Sequence, residues 1–132
     1  MKLENKSISQ LKKTAWKLCS EYNRQKDVDW RGNGKCCTCR KTIHWREGDA
    51  GHFMAGRRNA ILFDDRGIHL QCKNCNRNQG EQYLYGKYME NRYGKEVTLE
   101  IEKNRHKTKT ITKKDYYKII SDYKSKLLTL SK

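Results

Sequence analysis

Proline is absent from the 132 residues, and no low-complexity or repeated segment interrupts them. A proline-rich linker between separate domains is thereby excluded. Apolar residues are scarce as well, at 35% of the chain against 34% charged. No run approaches the ~20 apolar residues that a membrane-spanning helix needs. The opening residues, Met1-Lys2-Leu3-Glu4-Asn5-Lys6, offer no apolar segment for a signal peptide. The expectation is an intracellular protein that is not bound to a membrane, in a compartment where thiols stay reduced.

Acidic residues are also in short supply. Fifteen Asp and Glu face thirty Lys and Arg, a formal net charge of +15. Such a charge repels itself unless a polyanion neutralises it, and nucleic acid is the commonest one inside a cell. Solubility alone needs much less charge. The length predicts a single domain over 1–132, with a core thin enough to need a staple. Six cysteines are available for it, and in a reduced compartment they read as metal ligands before disulfides.

Apolar spacing predicts a helix over 7–26, with Ile8, Leu11, Ala15, Leu18, Cys19 and Tyr22 on one face and Ser7 or Ser9 as cap. Cys19 lies on that face as a buried thiol. Trp16 faces the core or covers a neighbouring element. Gly32-Asn33-Gly34 is a turn signal. Thr42–Trp45 and Ala50–Met54 read as a hairpin turning at Arg46–Asp49. Ala60–Phe63 reads as a short buried strand, and Ile68–Gln71 leads to the last cysteines. Glu81–Tyr93 is helical, with Gly94 as its stop. Lys95–His106 fits strand or helix. A last helix, capped by Thr112, runs to about Leu130 and with the first one wraps the centre.

Cys36/Cys39 and Cys72/Cys75 are two Cys-x-x-Cys knuckles, which together make a four-thiolate zinc site. Cys37 competes with Cys36, but its Cys-x-Cys spacing makes a poorer knuckle. Thirty-two residues, 40–71, separate the pairs. A plain zinc ribbon needs about 15–20, so a hairpin and loop are built between the ligands. That gives an α+β protein with a zinc-pinned ββα centre over 36–93, and a helical extension over 95–132.

Within this frame stand Asp49, His52 and Asn76. A neutral imidazole near pKa 6.5 can deprotonate water. A carboxylate and an amide oxygen are hard ligands suited to Mg²⁺ or Mn²⁺, which would stabilise charge on a phosphate. Zinc would then be structural and the second metal catalytic. Singly, each residue has a plainer reading: a structural histidine, a turn aspartate, a capping asparagine.

Cys-x-x-Cys, a strand ending in His, then Cys-x-x-Cys-Asn resembles the zinc-bearing HNH (ββα-metal, His-Me finger, treble-clef-like) endonucleases, and phage endonuclease VII among them. Cys36-Cys37-Thr38-Cys39, Asp49-Ala50-Gly51-His52-Phe53 and His69-Leu70-Gln71-Cys72-Lys73-Asn74-Cys75-Asn76 resemble the phage lambda NinG (Rap) recombination proteins. That resemblance implies a phage- or prophage-encoded endonuclease in the bacterial cytoplasm, cutting branched DNA such as Holliday junctions and D-loops. It implies His52 as general base, Asn76 on the divalent metal and the four cysteines on zinc. A recombinase or single-strand annealing protein is an expected partner.

Two positions depart from the HNH pattern. Gly51 stands where an acidic residue usually precedes the histidine, so Asp49 must substitute, on the same face only if a bulge intervenes. Gly67 stands in place of the middle Asn, which leaves Asp64, Asp65 or His69 to orient His52. His44 reads as structural. Arg57 and Arg58 are candidates to hold phosphates, as are Lys73 and Arg77 beside the last knuckle. The run His106-Lys107-Thr108-Lys109-Thr110, with Lys113 and Lys114, reads as a basic loop suited to an arm of branched DNA. Two cuts at a junction point to a homodimer, for which the C-terminal helix offers either a contact or only core. A non-catalytic zinc module binding DNA or RNA and a general HNH nicking enzyme are the competing readings.

Overall fold

The computed structural model describes residues 2–55, 59–78 and 81–130. Among these residues, five α-helices and four short strands make an α+β arrangement: α1 (Ile8–Gln25), β1 (Asn33–Lys35), β2 (Thr42–His44), β3 (Gly48–His52), β4 (Ile68–Cys72), α2 (Lys73–Arg77), α3 (Gln82–Tyr93), α4 (Lys95–Asn104) and α5 (Lys113–Leu130). Helix α1 starts at a complete capping box. Ser7 Oγ accepts from the Gln10 N–H, and the Gln10 side chain accepts from the Ser7 N–H. Thr112 and Asp115 exchange the same pair of bonds at the start of α5.

The strands pair differently from the expected hairpin. β2 pairs antiparallel with β1, and β3 pairs antiparallel with β4, in two separate sheets. The Arg46–Asp49 turn therefore does not close a hairpin. Residues 45–47 form one 3-10 turn that carries the chain from the first sheet to the second. β1 lacks the β-branched residues that mark strands. It forms because it brackets the first knuckle: the Cys36 N–H donates to the Lys41 carbonyl and the Arg40 N–H to the Cys36 carbonyl.

Ala60–Phe63 is a turn and not a buried strand. Its apolar residues serve two clusters. Ile61 joins Phe53, Tyr85, Met89 and Ile101, whereas Phe63 packs beside Leu11, Tyr116 and Ile120. Lys95–Asn104 resolves as helix. Val97 and Ile101, four apart, face the Phe53 cluster, and Leu99 stays exposed.

Helix α1 lies on β3 and β4, and α5 packs along α1. α5 thus covers the first helix more than it wraps the centre. A polar network ties the layers. Asp65 accepts from Asn23 Nδ2, the Tyr123 hydroxyl and Lys126 Nζ, while Lys26 Nζ donates to Asn23 Oδ1 and to the Asp65 and Ile68 carbonyls. Burial lowers the Lys26 pKa to about 8, against the pull of Asp65. Leu11 is fully buried in the α1–α5 seam with Ala15, Ile111, Tyr116 and Ile120. Leu11→Ala is expected to cost about 3 kcal/mol, read as a lower denaturant midpoint. An unchanged midpoint would show that this seam carries little of the stability.

Candidate functional site

The Cys36, Cys39, Cys72 and Cys75 sulfurs all lie within 4.8 Å of one another. A tetrahedral zinc with Zn–S of about 2.3 Å sets its sulfurs about 3.8 Å apart, and Cys39 Sγ and Cys72 Sγ are 3.9 Å apart. The donor set therefore fits such an ion. Burial pushes the Cys36 thiol up, but N–H groups of Cys72, Cys39 and Thr38 and the Thr38 hydroxyl outweigh it and hold the pKa at about 6. Cys37 is excluded from this site. Its N–H donates to the Leu70 carbonyl, and its side chain is buried in the Phe53 cluster. The ion would join the β1–β2 hairpin to the junction of β4 and α2.

Asp49 and Asn76 meet beside that junction. Asn76 Nδ2 donates to Asp49 Oδ2 (3.0 Å), and Lys73 Nζ donates to Asp49 Oδ1 (2.9 Å). Burial raises the Asp49 carboxyl, but these two partners outweigh it and leave its pKa below the ordinary value. They border a cavity of about 400 Å³ that is also lined by Trp16, Ser20, Arg24, Arg46 and Ala50. Three cations surround one carboxylate there.

His52 is not part of this corner. The β3–β4 ladder is regular, pairing Asp49 with Gln71 and His52 with Ile68, and no bulge intervenes. Three positions along a pleated strand put the two side chains on opposite faces. An acid at position 51 would require the buried Gln71 side chain to move, because a Cβ there would meet it. What holds His52 is a backbone group: Nε2 lies 3.0 Å from the Leu62 carbonyl. A carbonyl only accepts, so Nε2 carries the proton and Nδ1 the lone pair. The Trp16 ring stacks on the imidazole at 5.0 Å. Burial depresses the His52 pKa, partly opposed by the Leu62 contact, so the ring is neutral at pH 7. Trp16 touches both places, the Asp49–Asn76 cavity and His52.

None of the residues expected to orient His52 does so. Asp64 pairs with Arg66, and Asp65 belongs to the Asn23–Tyr123–Lys126 network. His69 is buried among Tyr85, Tyr88 and Tyr93. Tyr85 gives its only proton to the Gly51 carbonyl, so His69 Nδ1 donates to Tyr85 and Nε2 accepts from Tyr93. Burial, then the Lys26 and Arg92 charges, push its pKa down to about 2. His44 caps the 45–47 turn by accepting from the Arg46 N–H. Arg57 and Arg58 lie outside the described residues. Arg77 ends the five-residue helix α2 and is exposed. Sequence reasoning missed Ser20, Arg24 and Arg46, whose side chains reach the cavity only through the docking of α1 and the 45–47 turn.

These features define a small basic α+β protein with a four-cysteine site able to hold a metal such as zinc. The chain belongs to the NinG family: residues 1–132 match the family described as Bacteriophage Lambda NinG protein. It is 32% identical over 131 residues to the proteins named ninG of Escherichia phage 933W and Enterobacteria phage VT2-Sa. The match covers 98% of this chain and 62% of each relative, so the chain spans about three-fifths of their length. No solved structure matches. Among the described residues, no helix is long and apolar enough to cross a membrane.

Two outcomes follow from the geometry. Cys72→Ser is expected to abolish stoichiometric zinc, measured by elemental analysis, whereas Cys37→Ser retains it; the reverse pattern would exchange the ligand assignment. Trp16→Ala exposes the imidazole to water, so the His52 titration followed by NMR should move up toward the ordinary value of about 6.5. No movement would mean that the stacked ring does not control it.

Proposed function

We propose that the chain is a metal-dependent endonuclease of the HNH (ββα-metal) type, acting on branched DNA formed during phage recombination. Under this reading β3, β4 and α2 are the ββα unit, with the four-thiolate zinc pinning its strand–helix corner. One observation carries the proposal: the Asp49–Asn76 contact in a cavity whose other charged groups, Arg24, Arg46 and Lys73, are all cationic. A phosphodiester brings the negative charge that this corner lacks. Family membership supports the reading, which takes residues 1–132 as a single domain.

In the proposed mechanism Asp49 and Asn76 would hold one Mg²⁺ or Mn²⁺. When bound, that ion supplies charge stabilisation for the phosphate and the leaving oxygen. Lys73, freed from Asp49, pairs with a phosphate oxygen, and Arg24 and Arg46 position the backbone. His52 would take a proton from water at Nδ1, the nitrogen that the Leu62 carbonyl leaves unprotonated; since its side chain leaves β3 on the face opposite Asp49, this role needs the strand to shift on binding so that the imidazole reaches the cavity. Trp16 excludes bulk water from one face of the ring.

A second reading, a non-catalytic zinc module that binds DNA or RNA, has its own observation. The Asp49 carboxylate is already taken by Lys73 and Asn76, and His52 touches neither. Cleavage of a labelled four-way junction with magnesium separates the two. The nuclease reading expects cutting that His52→Ala removes without loss of DNA binding. It also expects the acid limb of the rate to lie below pH 6.5, since the base acts when neutral and burial lowers its pKa. Binding with no cutting by the parent chain supports the module instead. Equal cutting of a linear duplex would remove the junction preference and leave a general nicking enzyme. An unchanged rate in His52→Ala would remove the general-base assignment.

A further inference from the structure

The chain has three tryptophans. Trp16 lines the Asp49–Asn76 cavity, while Trp30 and Trp45 line a neighbouring one of about 610 Å³ with Arg31, Gly32 and His44. Arg46 borders both. In a chain this poor in apolar residues, Trp30 nonetheless stands 87% exposed. An aromatic side chain of this kind can bury on the order of 150–250 Å², and nearly all of that is offered to solvent.

The ring is displayed by a tightly bonded turn. Asp29 Oδ1 accepts from the Arg31 and Asn33 N–H groups, the Gly32 N–H donates to the Asp29 carbonyl, and the Asp29 N–H donates to the Asn33 carbonyl. Gly32 sits at φ +85°, and a Cβ there would strike the His44 ring. The turn is therefore fixed both by its own bonds and by contact with β2. Fixing an exposed aromatic in advance lowers the ordering cost of a partner's binding. Cations surround it. The Arg31 guanidinium lies 4.7 Å from the Trp30 ring centre, and Arg24 and Arg46 lie 5.0 and 4.7 Å from that of Trp45. The one acidic group in the turn, Asp29, has an oxygen committed to two N–H donors.

An exposed π-face beside a row of arginines is the equipment for unpaired bases: the bases stack and the arginines take the phosphates. We infer that Trp30, on its fixed turn, is a stacking platform for single-stranded nucleic acid, and that Arg31, Arg46 and Arg24 carry the strand's backbone toward the Asp49–Asn76 cavity. The substrate of that cavity is then a nucleic acid with an unpaired segment beside the duplex. This goes beyond the nuclease reading and does not require cleavage.

The test is binding of the full chain to labelled oligothymidylate and to a duplex of equal length, without added magnesium and at fixed salt. Trp30→Ala should weaken oligothymidylate binding about tenfold and leave the duplex unaffected. Trp30→Phe should retain most of the affinity. Tyr83, 74% exposed on α3 with Lys87 over its ring, is the matched control. Tyr83→Ala should change nothing, and circular dichroism should show both alanine variants folded. Unchanged oligothymidylate binding by Trp30→Ala, an equal loss on duplex, or an equal loss in Tyr83→Ala would overturn the platform. Cutting is not read, so failure of the nuclease assay leaves this result interpretable.

Discussion

Four thiol groups held within 4.8 Å of one another are the constraint on which the centre of this protein depends. Left as thiolates without an ion they would repel, and as thiols they contribute little cohesion. An ion of zinc's size and softness turns the same geometry into four bonds. The apolar residues nearest the sulfurs are few: Ile43, Leu70, Val28 and Trp45. The two sheets there have two strands each, and isolated two-stranded sheets are marginal in water. The metal-ready corner thus supplies what burial does not. It also fixes where β4 hands over to α2, and so where Asn76 stands relative to Asp49.

Around this corner the chain economises on apolar surface by using aromatic rings with polar ends. His69 sits in a cage of three tyrosines with both nitrogens bonded, and Tyr85 reaches on to the Gly51 carbonyl. Asp65 and Lys26 do the same between α1, α5 and β4. Buried networks of this kind hold only when every member is satisfied. The residues available for chemistry are accordingly those outside them. His52 is held by one backbone carbonyl and one stacked ring, and Asp49 by the long Lys73 side chain and the Asn76 amide.

What could be read from the sequence was local. The caps at Ser7 and Thr112, the apolar stripe of α1 apart from the exposed Ile8, the buried Cys19 and the Cys-x-x-Cys spacing all rest on residues within a few positions of each other. They stand in the structure where the spacing put them. Strand pairing was not local. Asn33-Gly34-Lys35 has the composition of a turn and is a strand because the knuckle beside it brings Thr42–His44 alongside. The apolar run Ala60–Phe63 serves two clusters and so follows neither a strand nor a helix pattern. The partners of His52 were the least legible. One is a backbone carbonyl, which carries no residue identity. The other is a tryptophan 36 positions earlier, on a helix whose own period says only that it packs on something.

Hydrogen exchange on the chain before and after a chelator strips the metal tests the central claim most directly. The account predicts that amides of 33–44 and 68–77 lose protection together on chelation, while those in the middle of α1 and α5, held by the Leu11–Tyr116 seam, keep theirs. Protection in 33–44 and 68–77 that survives removal of the metal would contradict it, because the strand–helix corner would then stand without the four sulfurs' ion.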